Sequence, residues 1–333
     1  MHRTYRSVLL TLAVHAGLLC GLAAAANEGQ DDLDKATRAK VNAKTLSDLS
    51  EVIRLAESAL AQGLDEENTH FAKTLLASTL SQRGIETSKT IFESLPPDPR
   101  WPQFRRVALE DLEKAVKLDP SQAEAHWRIA QLNLLPEGDA KAAAKALDLA
   151  IRHSKEDPAL RVRALMLRAG LEKDVKKKLA DLNEAARIVP GNVAVLRARG
   201  ELYSQSEKFP QALADLDAAL KIEPKHAPTL EAKAMVLGKM KKSEEALALI
   251  DQVQKLDPKS ISPLVHRARI HAMQPDLPAA LKDLDEACRR EPGNVAVLLL
   301  RASVHQEMKE NEKALADVEK VLALRPDFDV AMR

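Results

Sequence analysis

Aromatic side chains, glycine and cysteine are all scarce in this chain. Phe, Trp and Tyr make up 3% of the 333 residues, and there are 11 glycines and 2 cysteines. Alanine and leucine dominate instead, which is typical of many amphipathic helices. The charges lack a dominant sign, since 50 Lys and Arg face 49 Asp and Glu. Nucleic-acid binding therefore has no visible electrostatic source, and we expect no nucleic-acid partner.

The N-terminus has the pattern of a removable export signal. Arg3 and Arg6 precede an apolar run over residues 8–22, and small residues then lead to an expected cleavage point after Ala26. The run is short for a membrane span, and no stop-transfer pattern follows it. We expect residues 1–26 to be removed, which leaves no stable membrane span in a protein exported to a bacterial-type periplasm or cell envelope. A retained membrane anchor and secretion from the cell are the alternatives.

Removal of that signal leaves one cysteine. Cys20 lies within the signal, and Leu19 stands where a lipid-anchored variant would need a small residue. Cys288 is then unable to form an intramolecular disulfide. Its position in LDEACRREP, beside a column of alanines, favours a buried apolar role. A redox-active thiol or an intermolecular link is the alternative.

Prolines recur along most of the chain with a period near 34 residues. They are Pro158, Pro190, Pro224, Pro258, Pro292 and Pro326. Such a period predicts stacked supersecondary units, which moves the functional question from catalysis to surface recognition. We expect each of these prolines to end the second helix of a unit.

Small and branched side chains recur between the prolines at spacings of three or four residues, which predicts two helices per unit. The first-helix columns are Leu196, Leu230, Leu264 and Leu298, then Gly200, Ala234, Ala268 and Ala302, then Tyr203, Leu237, His271 and His305. The second-helix columns are Ala212, Ala246, Ala280 and Ala314, then Leu216, Ile250, Leu284 and Val318, then Ala219, Val253, Ala287 and Val321. The small residues let two helix backbones approach closely.

This pattern resembles the tetratricopeptide repeat, most closely in VLRARGELYSQSEKFPQALADLDAALKIEP at 195–224. The first helix carries Leu–Gly–Tyr, the second carries Ala–Leu–Ala, and a proline ends the unit. The resemblance implies an all-α fold, a right-handed superhelical solenoid of antiparallel helix pairs with a concave groove. It also implies a binding role without catalysis.

The resemblance divides the chain into units. The six expected repeats are 121–158, 159–190, 191–224, 225–258, 259–292 and 293–326. Degenerate helical repeats are expected over 45–120, after a frayed segment at 27–44. Prolines at 96, 97, 99 and 102 predict a non-helical insertion over 84–104, which is either a tolerated loop or a recognition loop. Residues 327–333 open a further or capping helix.

In that family the first helices line the groove, which implies candidate partner-binding positions here. They are Arg197, Glu201, Gln205, Glu231, Met235, Lys239, Arg269, Met273, Leu299, Ser303 and Gln306. The lining is mixed in charge and holds two flexible methionines, so it suits a protein or peptide segment with apolar and charged groups. The family's best-known ligand mode clamps a terminal carboxylate with Lys and Asn. No Asn stands at these positions, so that clamp is not implied.

Catalytic and cofactor motifs are not found in the sequence. It has no Gly-rich phosphate loop, no Gly-x-Ser-x-Gly and no His-Glu-x-x-His, so we expect no enzyme, no cofactor and no metal site. His271 and His305 are expected roughly 8–10 Å apart on adjacent units, too far for shared zinc ligation. Two acidic pairs on second helices are interpreted as solvated surface: Asp215/Asp217 and Asp283/Asp285.

Three functional interpretations follow. The first is a scaffold or adaptor that binds a partner segment in the groove. The second is the recognition arm of a larger secreted enzyme whose remaining domain lies beyond Arg333. The third is a structural array that self-associates end to end through its C-terminal end, where Leu315, Val318 and Leu322 would lack cover. Tolerated exposure of that end is the alternative to the last two.

Overall fold

The computed structural model describes residues 28–94 and 98–325, and all regular elements within these ranges are α-helices. The all-α prediction is thereby confirmed for the described residues. The chain divides into two compact units, Met1–Leu171 and Glu172–Arg333. Within the described ranges, no helix has the length and apolar character needed to cross a bilayer. The predicted signal at 1–26 and the segment 327–333 lie outside the described residues.

The first unit has seven helices in its described part. They are α1 (Gln30–Asn42), α2 (Leu46–Gln62), α3 (Glu66–Phe92), α4 (Trp101–Leu118), α5 (Ala123–Asn133), α6 (Ala140–His153) and α7 (Pro158–Leu171). Each helix contacts the next along the chain, so consecutive pairs stack in order.

The second unit has nine helices in its described part. They are α8 (Val175–Ile188), α9 (Val193–Gln205), α10 (Phe209–Ile222), α11 (Ala227–Lys239), α12 (Ser243–Leu256), α13 (Ser262–Met273), α14 (Leu277–Arg290), α15 (Val295–Glu307) and α16 (Asn311–Leu324). Consecutive helices again contact each other. Asn192 and Asn294 cap the first helices α9 and α15, because their side chains accept the backbone N–H groups of Val195 and Val297.

The small residues of the repeat columns lie where two helices meet. Ala212 and Leu216 of α10 are fully buried, and a Cβ added at Gly200 of α9 would lie 2.9 Å from Leu216 Cγ and 3.2 Å from the Ala212 carbonyl oxygen. The equivalent alanines of the later pairs are also buried: Ala234, Ala246, Ala268, Ala280 and Ala302. Leu196 and Ala219 are buried as well, whereas Tyr203 and Ala314 are half-buried. A larger side chain in these columns would push the helices of a pair apart.

The same contact recurs in the first unit with twelve more residues between its members. A Cβ added at Gly84 of α3 would lie 2.7 Å from Leu112 Cγ and 3.1 Å from the Ala108 carbonyl oxygen of α4. The separation from Gly84 to Ala108 is 24 residues, against 12 from Gly200 to Ala212. The α3–α4 pair is therefore a repeat with an insertion between its packed segments.

The predicted non-helical insertion over 84–104 is wrong in its bounds. The helix α3 continues to Phe92 with Thr87 and Ser88 buried, and α4 already begins at Trp101. Residues 85–92 contain no proline, so nothing in the backbone breaks the helix there. Pro102 lies in the first turn of α4, where a missing N–H costs little.

The expectation of a frayed segment at 27–44 is also wrong over residues 30–42. Residues Gln30–Asn42 form α1, whose Leu33 and Ala36 are buried in one cluster with residues of α2 and α3. The Gly29 N–H donates a hydrogen bond to the Gly63 carbonyl at 2.9 Å, which ties the start of α1 to the end of α2. Two well-placed apolar positions are enough to dock a helix that is polar overall.

The repeat prolines lie just beyond the second helices that they were expected to end. The helices α10, α12 and α14 finish two residues before Pro224, Pro258 and Pro292, and these prolines are exposed. Pro158 is an exception and a correction, because it is the first residue of α7. A proline fits that position since its ring pre-sets the helical φ. Pro326 lies outside the described residues.

Candidate partner-binding groove

The first helices of the second unit lie side by side. Helix α9 contacts α11, and α11 contacts α13, in addition to the second helix that each of them pairs with. Together the three helices line a cavity of about 390 Å³. Seven of the predicted groove positions line this cavity: Arg197, Glu201, Gln205, Glu231, Met235, Lys239 and Arg269. Seven positions predicted on three separate helices therefore line one cavity in the structure.

The other predicted positions do not line that cavity. Met273 is 37% exposed near the end of α13, and its sulfur would lie 3.5 Å from a Cβ added at Gly238 of α11. Ser303 and Gln306 are exposed on α15, where Leu299 is half-buried. These four residues extend the predicted surface beyond the cavity without contributing to its walls.

Both carboxylates in the cavity wall already have donors. Arg197 Nη1 donates to Glu201 Oε1 at 2.6 Å. The Ser262 hydroxyl donates to Glu231 Oε1 at 2.5 Å, and His266 Nδ1 lies 3.5 Å from the same oxygen and 2.9 Å from the Ser262 carbonyl. Ser262 and His266 were not among the predicted groove residues, although their spacing of four residues at the start of a first helix places them on one face.

Two cations of the groove lack a carboxylate partner among the described residues. Lys239 Nζ lies 3.3 Å from the carbonyl oxygen and 3.4 Å from the hydroxyl of Ser204. Arg269 is exposed. Met235 precedes Lys239 by one turn of α11 and is half-buried against an apolar cluster that includes Ile250. The cavity thus combines an apolar floor with uncompensated positive charge.

Arginine–aspartate pairs join the two helices of three repeats outside the cavity wall. They are Arg199–Asp215, Arg267–Asp283 and Arg301–Asp317, each with two hydrogen bonds of 2.6–2.9 Å and a spacing of 16 residues. The three carboxylates are buried, with exposures of 8%, 7% and 2%. Hydrogen bonding to Asp215 raises the pKa of the Arg199 guanidinium. We call this set the arginine–aspartate ladder.

The ladder corrects the interpretation of the acidic pairs as solvated surface. Asp215 and Asp283 are buried and paired, because each faces the first helix of its own repeat. Asp217 and Asp285 are half exposed, and they contact cations of the next repeat: Lys233 at 2.6 Å and Arg301 at 2.8 Å. A recurring Arg sixteen residues before an Asp was the signal in the sequence.

Cys288 and the histidines form no reactive cluster in the described part of the chain. Cys288 is buried in α14, and burial raises the pKa of its thiol, which lowers the thiolate fraction. His305 Nδ1 lies 2.7 Å from Glu310 Oε2, and His271 Nδ1 lies 3.6 Å from Asp276 Oδ2. Within residues 28–94 and 98–325, no group of three or more His, Cys, Asp or Glu side chains is arranged to hold a metal ion.

Comparison with family models identifies the repeats in part of the chain. Residues 103–160 and 231–295 match a model described as tetratricopeptide repeat, and residues 295–328 match a second model with the same description. No curated protein sequence matches the chain.

Solved structures with this fold include a tetratricopeptide repeat protein from Parabacteroides merdae. It is 19% identical, with a TM-score of 0.60, over 75% of this chain and 96% of that one. Yeast Tom70 is 18% identical over 92% of this chain and 62% of its own, with a TM-score of 0.49. YrrB, described as having an unusual peptide-binding site, is 20% identical over 57% of this chain and 97% of its own, with a TM-score of 0.37. At 19% identity the likeness to the Parabacteroides protein shows the fold alone.

Proposed function

Because this chain carries tetratricopeptide repeats, we propose that it binds a segment of a partner protein in the groove of its second unit, as a scaffold or adaptor without catalysis of its own. Repeats of this family typically bind protein or peptide partners. The observation that carries the proposal is the cavity that seven predicted positions share on α9, α11 and α13.

The groove acts as a preformed receptor. Close packing of each first helix on its second helix, as at Gly200, holds the wall in place before a partner arrives. Rigidity of the receptor reduces the ordering cost of binding. The thioether of Met235 supplies the adaptable part, because an unbranched side chain can follow different apolar groups. A cavity of about 390 Å³ accepts a few side chains, so the partner binds through a short anchor.

The proposal includes export to a bacterial-type periplasm or cell envelope, which rests on the pattern of residues 1–26. We expect the protein purified from its native envelope to begin near Asn27, as measured by mass spectrometry of the intact chain. A mature protein that retains residues 1–26 would contradict this part of the proposal and leave the groove untouched.

The groove is tested by reversing two of its charges. Panning a random peptide library against the full chain should enrich binders whose Kd for the variant Arg197→Glu with Arg269→Glu is at least about 10-fold higher than for wild type, since 1.4 kcal/mol corresponds to a factor of ten. The matched control is Lys114→Glu with Lys145→Glu, two exposed lysines on second helices of the first unit. Circular dichroism checks that both variants fold.

Two outcomes separate the rival interpretations. Peptides that bind the control variant like wild type and the groove variant weakly support the scaffold. Enriched peptides that bind all three proteins equally would refute the groove assignment. An array that acts by end-to-end association predicts that second result, together with a sedimentation coefficient that rises with protein concentration.

A further inference from the structure

We propose that the groove selects a partner segment with an acidic side chain in its interior, which Lys239 and Arg269 receive above Met235. This inference rests on the proposed function and names the chemistry of the segment. It follows from which charges of the cavity are already paired, from where the unpaired ones lie, and from the space on either side of Arg269.

The wall of the cavity carries a net positive charge. It holds three permanent cations and two carboxylates, so one positive charge is left over among these five groups. Glu201 is taken by Arg197 at 2.6 Å, and Glu231 by the Ser262 hydroxyl at 2.5 Å. Arg197 compensates Glu201, whereas the neutral Ser262 hydroxyl leaves the negative charge of Glu231 in place, so Glu231 offsets only one of the two remaining cations, Lys239 and Arg269.

Lys239 and Arg269 keep hydrogen-bond donors for a ligand. The only hydrogen bonds of Lys239 within the described residues are the two to Ser204, at 3.3 and 3.4 Å, and both are long for an ammonium donor. Arg269 has no hydrogen bond or ion pair in the same part of the chain. Its guanidinium keeps five N–H donors for a ligand, in the planar fork that matches a carboxylate.

Lys239 and Arg269 line the same cavity as Met235. Lys239 follows Met235 by one helical turn on α11, and Arg269 is the residue 34 positions after Met235, at the equivalent place on α13. A group above Met235 is therefore one helical turn from Lys239 and one neighbouring helix from Arg269, in the cavity that all three residues line. Val236, buried beside it, and Met235 make the floor apolar. An aliphatic neighbour in the ligand would contact this floor while the carboxylate reaches both cations.

The space around Arg269 favours an acidic residue in the interior of the partner segment. Arg269 and His266 also line a second cavity of about 520 Å³ on the other side, which includes Ser260, Val265 and Asn294. Since Arg269 stands between two adjoining cavities of the second unit, a bound chain has space to continue past it in both directions. The ligand group is therefore a side-chain carboxylate and not a chain terminus.

The test uses three fluorescent peptides that are acetylated at the N-terminus and amidated at the C-terminus, so that no terminal carboxylate is present. They share a central Leu-X-Leu in a Gly-Ser background, and X is Glu, Gln or Lys. Fluorescence anisotropy with the full chain at low salt should give a Kd for the Glu peptide about 10-fold below that of the Gln peptide, and the Lys peptide should bind most weakly. Higher salt should shrink the preference, because exposed charges are screened.

The variant Lys239→Gln with Arg269→Gln should bind the Glu and Gln peptides alike, with the Kd for the Gln peptide within about 3-fold of wild type. The matched control, Lys114→Gln with Lys145→Gln, should keep the preference for Glu. A Glu peptide that binds no better than the Gln peptide, a preference for Lys, or a Glu preference that survives in the groove variant would overturn the inference.

The results also separate this inference from the proposed function. Gln-peptide binding that the variant Arg197→Glu with Arg269→Glu weakens, without any preference for Glu, overturns the acidic segment and leaves the groove in place. If none of the three peptides binds, the acidic segment is overturned, and the peptides enriched by panning still decide whether the groove binds a partner.

Discussion

Two neighbouring repeats of the second unit have different kinds of residue pair at the same packing position. In α13–α14, Arg267 donates two hydrogen bonds to Asp283, which is 7% exposed. In α11–α12, the equivalent residues are Lys233 and Leu249. Leu249 is half-buried against an apolar cluster that includes Ala246 and Ile250, and Lys233 forms an ion pair with Asp217 of the preceding repeat. One repeat has a buried ion pair where the next has an apolar contact.

The difference shows that the ladder is not required at every step. Replacing a buried ion pair by well-packed apolar groups is often neutral, whereas removing one partner leaves an uncompensated charge and costs several kcal/mol. The repeat with Leu249 is an instance of the first case within the chain itself. We therefore expect the worth of a ladder pair to depend on whether both of its members change together.

The largest effect is expected from Asp283→Ala. Among the described residues Arg267 would keep its contact with Asp251 at 3.6 Å, so its guanidinium would be left poorly paired. The opening free energy of α13–α14 should fall by about 2 kcal/mol, reduced from the fully buried case because Arg267 is partly exposed. Native-state hydrogen exchange measures this, since amides in these helices should exchange roughly 30-fold faster.

The matched control for that variant lies two residues further along α14. Asp285 also pairs with an arginine, at 2.8 Å, but its side chain is 57% exposed. Asp285→Ala should cost about 0.5 kcal/mol or less, because exposed pairs contribute little. Equal losses from both variants would show that burial of the ladder carboxylates does not matter.

A smaller effect on the opening free energy is expected when the residue pair of α11–α12 is placed in α13–α14. The double variant Arg267→Lys with Asp283→Leu reproduces the residues at 233 and 249. Its opening free energy should lie within about 1 kcal/mol of wild type, well above that of Asp283→Ala, because both members of the pair change together. A double variant as unstable as the single one would show that the two repeats are not interchangeable here.

Much of the fold could be predicted because the repeat constrains it at every step. Columns such as Gly200–Ala234–Ala268 recur at one position, and a small residue there matters for a single reason, the close approach of two helices. Where the period is broken, prediction failed. The extension of α3 to Phe92 and the formation of α1 from a polar segment were not predicted, because neither feature has a repeat partner to align with.

The groove could be predicted in outline only. Helical periodicity places Arg197, Met235 and Arg269 on the first helices, and the structure brings them into one cavity. Periodicity does not say which charged side chains are hydrogen-bonded or ion-paired. Glu231 is held by Ser262, 31 residues away, and Asp215 turns inward to Arg199 although its neighbour Asp217 faces outward.

The amino-acid sequence alone determined that helices pair and that the pairs repeat, because these properties follow from local spacing of three, four and 34 residues, whereas the expectation of a groove on the first helices came from the family resemblance. Only the tertiary structure decided which ions compensate each other and where positive charge is left over. Coulomb interactions and hydrogen bonds depend on distances of a few ångströms, and those distances exist only after separate helices have packed.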